Sequence, residues 1–129
     1  MTEAERIAIE HACARLVALY ANLNDEARWD DVASLYAPDG SMTRPTAPDE
    51  PIVGREAIAA AFKARPARKT RHICSNVVID ALSPTEAKGV SAMALFTPDA
   101  PPKLGSFHDD FVLMDGRWLF ARRRGSLSF

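Results

Sequence analysis

Arg68-Lys69-Thr70-Arg71-His72-Ile73-Cys74-Ser75-Asn76-Val77-Val78-Ile79-Asp80 is the stretch on which the reading of this chain turns. It begins basic and ends in a β-branched run, the composition of a strand. Side chains alternate across a strand. His72, Cys74, Asn76 and Val78 are therefore expected on one face, with Arg71, Ile73, Ser75, Val77 and Ile79 on the other. Packing alone asks for no histidine or asparagine here. Imidazole titrates near neutrality, so His72 is the best candidate for taking and returning a proton.

Downstream of this stretch the chain reads as β to its end. Ser83-Pro84-Thr85-Glu86 turns the chain into a second strand, Ala87 to Thr97. A loop with three prolines, Pro98 to Pro102, leads to a third strand, Leu104 to Met114. Asp115-Gly116 is a type I′ hairpin signal, and Arg117 to Leu127 forms the fourth strand. In the third strand Phe107, Asp109, Phe111 and Leu113 share one face. An aspartate between two phenylalanines needs a partner, and an arginine of the next strand is the natural one. Arg122-Arg123-Arg124 must alternate faces, so the run cannot form a single basic patch. His108 lies on the opposite face and reads as a surface or interface residue.

Upstream the chain reads as helices. Thr2 and Glu5 have capping-box spacing. Ile9, Cys13, Leu16, Tyr20 and Leu23 then recur at helical spacing, giving one apolar stripe over about six turns. His11 falls off the stripe. Tyr20 lies on it, so its ring turns inward and its hydroxyl needs a partner. Asn24-Asp25-Glu26 marks the end of this helix. Trp29 to Tyr36 reads as a short second helix, and Pro38-Asp39-Gly40 breaks the chain. Ser41 to Arg44 suits a short strand, followed by a stiff proline-rich loop, Pro45 to Pro51. Arg55 to Lys63 is alanine-rich and helical, and Pro66 ends it.

The 129 residues form one domain, 1–129, with 16 Lys and Arg against 17 Asp and Glu. The net charge of −1 gives no electrostatic case for nucleic acid or an anionic membrane. No apolar run approaches the ~18 residues of a membrane span. The charged N-terminus lacks a signal-peptide core, so a cytoplasmic location is the default expectation. Cys13 and Cys74 form no CxxC and read as two reduced, buried thiols. Three scattered histidines make no metal site, and no cofactor is expected. Asp25, Asp80, Asp109 and Asp110 are candidate partners for His72, and periodicity does not choose among them.

The ordered motifs carry a family likeness. Tyr20-Ala21-Asn22-Leu23-Asn24-Asp25, Trp29-Asp30 and Leu35-Tyr36-Ala37-Pro38-Asp39-Gly40 resemble the opening of SnoaL-like domains, of the nuclear transport factor 2-like superfamily. Gly54-Arg55-Glu56-Ala57-Ile58, Arg71-His72 with Asn76, Phe107-His108-Asp109 and Asp115-Gly116-Arg117-Trp118 are similar to the later signatures, in order. The resemblance spans essentially the whole chain. It implies an α+β fold: a cone-shaped, curved, mostly antiparallel sheet wrapped around the long N-terminal helix, with two shorter helices. It also implies an apolar pocket at the open mouth and a homodimer through the outer sheet face.

The resemblance further implies chemistry. In the dehydratase and dehydrochlorinase members, a histidine at the position of His72 pairs with an aspartate at that of Asp25. Carried over, His72 removes a proton from a carbon acid, Asp25 orients it, and Tyr20 hydrogen-bonds a carbonyl or leaving hydroxyl. Asn76, Arg44, Met42, Met93, Phe107 and Phe111 are the expected substrate-binding residues. Val90 to Leu95 offers Met93 and small side chains where a dehydratase member has a second histidine, which leaves isomerisation or another elimination open. The expectation is thus a cofactor-independent lyase or isomerase for a small apolar cyclic or aromatic molecule. A non-catalytic small-molecule-binding or dimeric accessory domain is the alternative.

Overall fold

Helix α1 (Glu3–Asp25) runs the length of the domain and carries the buried stripe Ile9, Cys13, Leu16, Tyr20 and Leu23. Its start is the expected capping box: Thr2 Oγ1 accepts from Glu5 N–H, and the Glu5 carboxylate accepts from Thr2 N–H. Its end is a Schellman turn. Ala27 N–H donates to Asn24 O at 3.0 Å and Arg28 N–H to Leu23 O at 3.1 Å. Ala27 adopts φ 55°, a position more often held by glycine. The helix therefore stops with Asp25 in its last turn.

The computed structural model describes residues 1–129. After α1 come α2 (Trp29–Ser34), β1 (Tyr36–Arg44), β2 (Ala47–Val53) and α3 (Arg55–Lys63). The rest is β: β3 (Arg71–Ser83), β4 (Glu86–Thr97), β5 (Ala100–Met114) and β6 (Arg117–Leu127). The six strands form one curved, unclosed sheet in the order β2-β1-β6-β5-β4-β3. Only the β1–β6 pair is parallel. The concave side packs on α1, and Tyr20, Tyr36, Phe62, Phe111 and Phe120 fill the core between them. This is the expected α+β architecture. No helix is long and apolar enough to cross a membrane.

Four details differ from the sequence reading. The short second helix ends at Ser34, and Tyr36 already belongs to β1. The proline-rich segment expected as a loop forms β2, an edge strand paired only with β1. Proline is tolerated there because an edge strand has one set of N–H groups with no ladder partner. Strand β5 begins at Ala100, so its two prolines lie within the strand.

The fourth difference concerns β3. The ladder to β4 slips between Ser75 and Val78, where Asn76 has φ 53°. This bulge resets the alternation. His72 and Cys74 face inward, but beyond the bulge the inward residues are Val77 and Ile79, while Asn76 and Val78 are exposed. The bulge bends the strand so that its first part serves a cavity and its second part serves the core.

Candidate functional site

The site begins at the junction of α1 and β3. Asp25 accepts hydrogen bonds from three groups on two residues, Thr70 just before β3 and His72 within it. Thr70 Oγ1 donates to Oδ1 at 2.9 Å, and His72 N–H donates to Oδ2 at 2.8 Å. His72 Nδ1 lies 2.6 Å from Oδ1. The Arg71 guanidinium stands 3.8 Å from Oδ2. The Asp25 side chain is only 7% exposed, and that of His72 15%.

A carboxylate is an acceptor, so Nδ1 carries the proton in this contact. In the neutral ring Nε2 then keeps the lone pair, and His72 lines a cavity of the molecule. Asp25 does nothing for the helix that bears it. A negative charge in the last turn opposes the helix dipole, and α1 has no basic residue there to offset it. What holds the carboxylate in place comes from β3.

The cavity has a volume of about 450 Å³. Met42, Phe62, Met93, Leu95 and Phe107 give it apolar walls. Tyr20 and Tyr36 enter from α1 and β1, and their hydroxyls are 2.9 Å apart. Burial raises the pKa of both phenols, so both stay protonated at pH 7, and whichever accepts from the other keeps its own O–H free to donate. Cys74 also lines the cavity, and its thiol is pushed up by burial. Cys13 lies in the core, where burial pushes its thiol to about 12. No group of three His, Cys, Asp or Glu side chains is placed to hold a metal ion.

Behind the tyrosines lies a buried ion pair. Arg123 Nε is 3.2 Å from Asp109 Oδ1, and the two side chains are 2% and 1% exposed. The strands place them opposite each other in the β5–β6 ladder. The guanidinium also stacks on the rings of Phe107 at 3.8 Å and Tyr20 at 4.4 Å. Burial nevertheless raises the Asp109 pKa more than Arg123 lowers it. Arg122 and Arg124 point outward to Asp110, so the arginine run does alternate as its sequence requires.

Of the residues singled out in the sequence, His72, Tyr20, Met42, Arg44, Met93 and Phe107 line this cavity, and Asp25 holds His72 without lining the cavity itself. Two others fall outside the site. Asn76 is exposed at the bulge, because its left-handed backbone turns it out of the alternation. Phe111 is 2% exposed and packs on Phe120 in the core, behind the cavity wall. Tyr36, Thr70 and Arg65 join the site without having been singled out. Tyr36 was hidden by its apparent place at a helix end, and no periodicity marks Thr70 or Arg65.

The profile of the SnoaL-like domain family matches residues 5–124. No curated protein matches the chain. Among solved structures it is similar to a proposed scytalone dehydratase from Novosphingobium aromaticivorans, at 25% identity and TM-score 0.86, over 99% of this chain and 89% of the other. It shares its fold with LinA, at 18% identity and TM-score 0.89, over 100% and 92%. It also shares it with a proposed calcium/calmodulin-dependent protein kinase II association domain from Xanthomonas campestris, at 21% identity and TM-score 0.75, over 89% and 84%.

Removing one partner of the Asp109–Arg123 pair strands the other charge in the core. Asp109→Ala should therefore lower unfolding stability by about 3–5 kcal/mol in urea denaturation. A loss below about 1 kcal/mol would show that the pair is solvated in solution.

Proposed function

Because the chain belongs to the SnoaL-like domain family, we propose that it is a cofactor-independent lyase of the dehydratase type, or an isomerase. Its substrate is a small molecule with an apolar, cyclic or aromatic body. The observation that carries this reading is the 2.6 Å contact of His72 Nδ1 with a buried Asp25, on the wall of a cavity. A histidine whose Nδ1–H is held by a carboxylate presents Nε2 as a base.

In this reading Nε2 takes a proton from a carbon beside an electron-withdrawing group. The C–H electron pair forms the new double bond as a leaving group departs from the next carbon. In the isomerase variant the proton returns at another carbon of the same framework. Asp25 keeps the ring in place and stabilises the imidazolium that forms. Tyr20, hydrogen-bonded to Tyr36, is the neutral donor for a carbonyl or departing hydroxyl oxygen. Met42, Met93 and Phe107 enclose the apolar body, and Arg44 supplies a polar contact. Asn76 and Phe111 lie outside the cavity and take no part.

We extend the proposal to a homodimer through the outer sheet face. Ile73, Val78 and Val90 are exposed there, and Val78 and Val90 are ladder partners. Scattered apolar side chains need no explanation, whereas paired ones on a sheet face suit an interface. Sedimentation should give twice the 14.1 kDa chain mass; a single-chain mass at micromolar concentration would end this part of the proposal.

A nitrobenzisoxazole probe tests the base directly, since its ring opens by loss of one carbon-bound proton. The protein should accelerate the opening over buffer, and His72→Gln should lose about a hundredfold or more of that acceleration. Asp25→Asn should fall in the same direction. A His72→Gln variant as active as the parent would remove His72 as the base. A parent no faster than buffer would favour the non-catalytic binding reading.

A further inference from the structure

The cavity is charged in one sign. Arg44, Arg65, Arg68, Lys103 and Arg123 line it, and no Asp or Glu does. The chain as a whole is balanced, with 16 basic and 17 acidic residues. The concentration of cations is therefore a property of this site and not of the composition. Arg123, at the deep end, is neutralised by Asp109. The other four form no ion pair, although the same chain makes them freely elsewhere, as between Lys63 and Asp30 or Arg28 and Asp31.

The four come from three separate parts of the fold. Arg44 ends β1, Arg65 and Arg68 follow α3, and Lys103 lies in the first part of β5. Arg68 and Lys103 are exposed and form the rim. Arg44 and Arg65 are half-buried. One Arg44 nitrogen, Nη2, donates to Ala61 O at 3.1 Å, but its Nε is buried without a partner. The Arg65 guanidinium lies 4.4 Å from the centre of the Phe62 ring, on an apolar wall of the cavity. Burial first, with the neighbouring charges of Arg44 and Arg68 acting in the same direction, lowers its pKa to about 10. Like charges held together at a half-dry surface are unfavourable unless something negative joins them. Nothing in the chain supplies that charge.

We propose that the substrate is an amphiphilic organic anion, with its apolar body against the tyrosines and methionines and an oxyanion group held by Arg44 and Arg65. Arg68 and Lys103 attract it at the rim. An arginine fork matches a carboxylate or a phosphate monoester with paired N–H donors. A low-dielectric cleft lined by one sign of charge also concentrates such a ligand. The inference rests on reading this cavity as the substrate site, and it names the class of substrate that the dyad meets.

Binding, not turnover, tests it. Naphthoate, naphthyl phosphate and neutral naphthamide share one apolar body and differ in charge. By calorimetry, at least one anion should bind about tenfold or more tightly than the amide, and the tighter anion identifies the oxyanion. Arg65→Gln should bring anion and amide close to parity. So should Arg44→Gln, provided its melting temperature matches the parent's. The double variant Arg68→Gln/Lys103→Gln, at exposed positions, should weaken anion binding and flatten its salt dependence whether or not the Arg44 variant folds. His72→Gln should leave the anion preference intact. A parent that shows this anion preference but no elimination chemistry would refute the dyad alone. Amide binding as tight as both anions, no anion binding at millimolar concentration, or a preference unchanged in the arginine variants would overturn the inference.

Discussion

The Asp25 carboxylate ties the last turn of α1 to the first residues of β3, and the site depends on that tie. Three hydrogen bonds and an arginine charge converge on two oxygens. They bridge elements 45 and 47 residues apart in the chain. Loop closure on that scale is entropically costly, so the contacts register helix against strand as well as orienting a ring. The backbone N–H of His72 and its imidazole bind the same carboxylate. The histidine is therefore fixed at both ends, with one free nitrogen left for the cavity.

The same economy governs the interior. The core needs bulk between a long helix and a curved sheet, and aromatic side chains supply it. Tyr20, Tyr36 and Phe120 contact one another edge-on or tilted, with centroids 5.4–5.8 Å apart. Two of the three carry hydroxyls, which share one hydrogen bond and leave one O–H proton for the cavity, turning the core surface into a polar wall. Arg123 is stacked among these rings and paired with Asp109, so the structural centre of the protein and the floor of its cavity are continuous. A change in one is expected to be felt in the other.

Much of the fold was legible because its signals are local and repeated. The stripe from Ile9 to Leu23, the capping box at Thr2, the alanine-rich α3 and the Asp115-Gly116 turn each follow from short-range chemistry, and each stands where its sequence puts it. The Asp109–Arg123 pair was legible for the same reason: alternation put one charge on a phenylalanine face and left one arginine of three to answer it. What failed was alternation itself at Asn76. A bulge inserts one residue into the count, and nothing in Ser75-Asn76-Val77 announces it beyond an asparagine tolerant of positive φ. Every residue after it changes face. Phe111 was misplaced for a different reason. Sharing a strand face with Phe107 is correct, but depth along that face decides between cavity and core. The choice of Asp25 over Asp80, Asp109 and Asp110 came from family resemblance, since helix geometry alone could not aim a residue in the final turn.

The orientation of the His72 ring is the claim on which the proposed chemistry rests. Nitrogen NMR of the labelled protein distinguishes a protonated from an unprotonated ring nitrogen. Above the titration of its imidazole, His72 should show a proton on Nδ1 and a bare Nε2 in the parent. In Asp25→Asn that single tautomer should give way to a mixture. A parent in which Nε2 carries the proton, or in which Asp25→Asn changes nothing, would contradict the account.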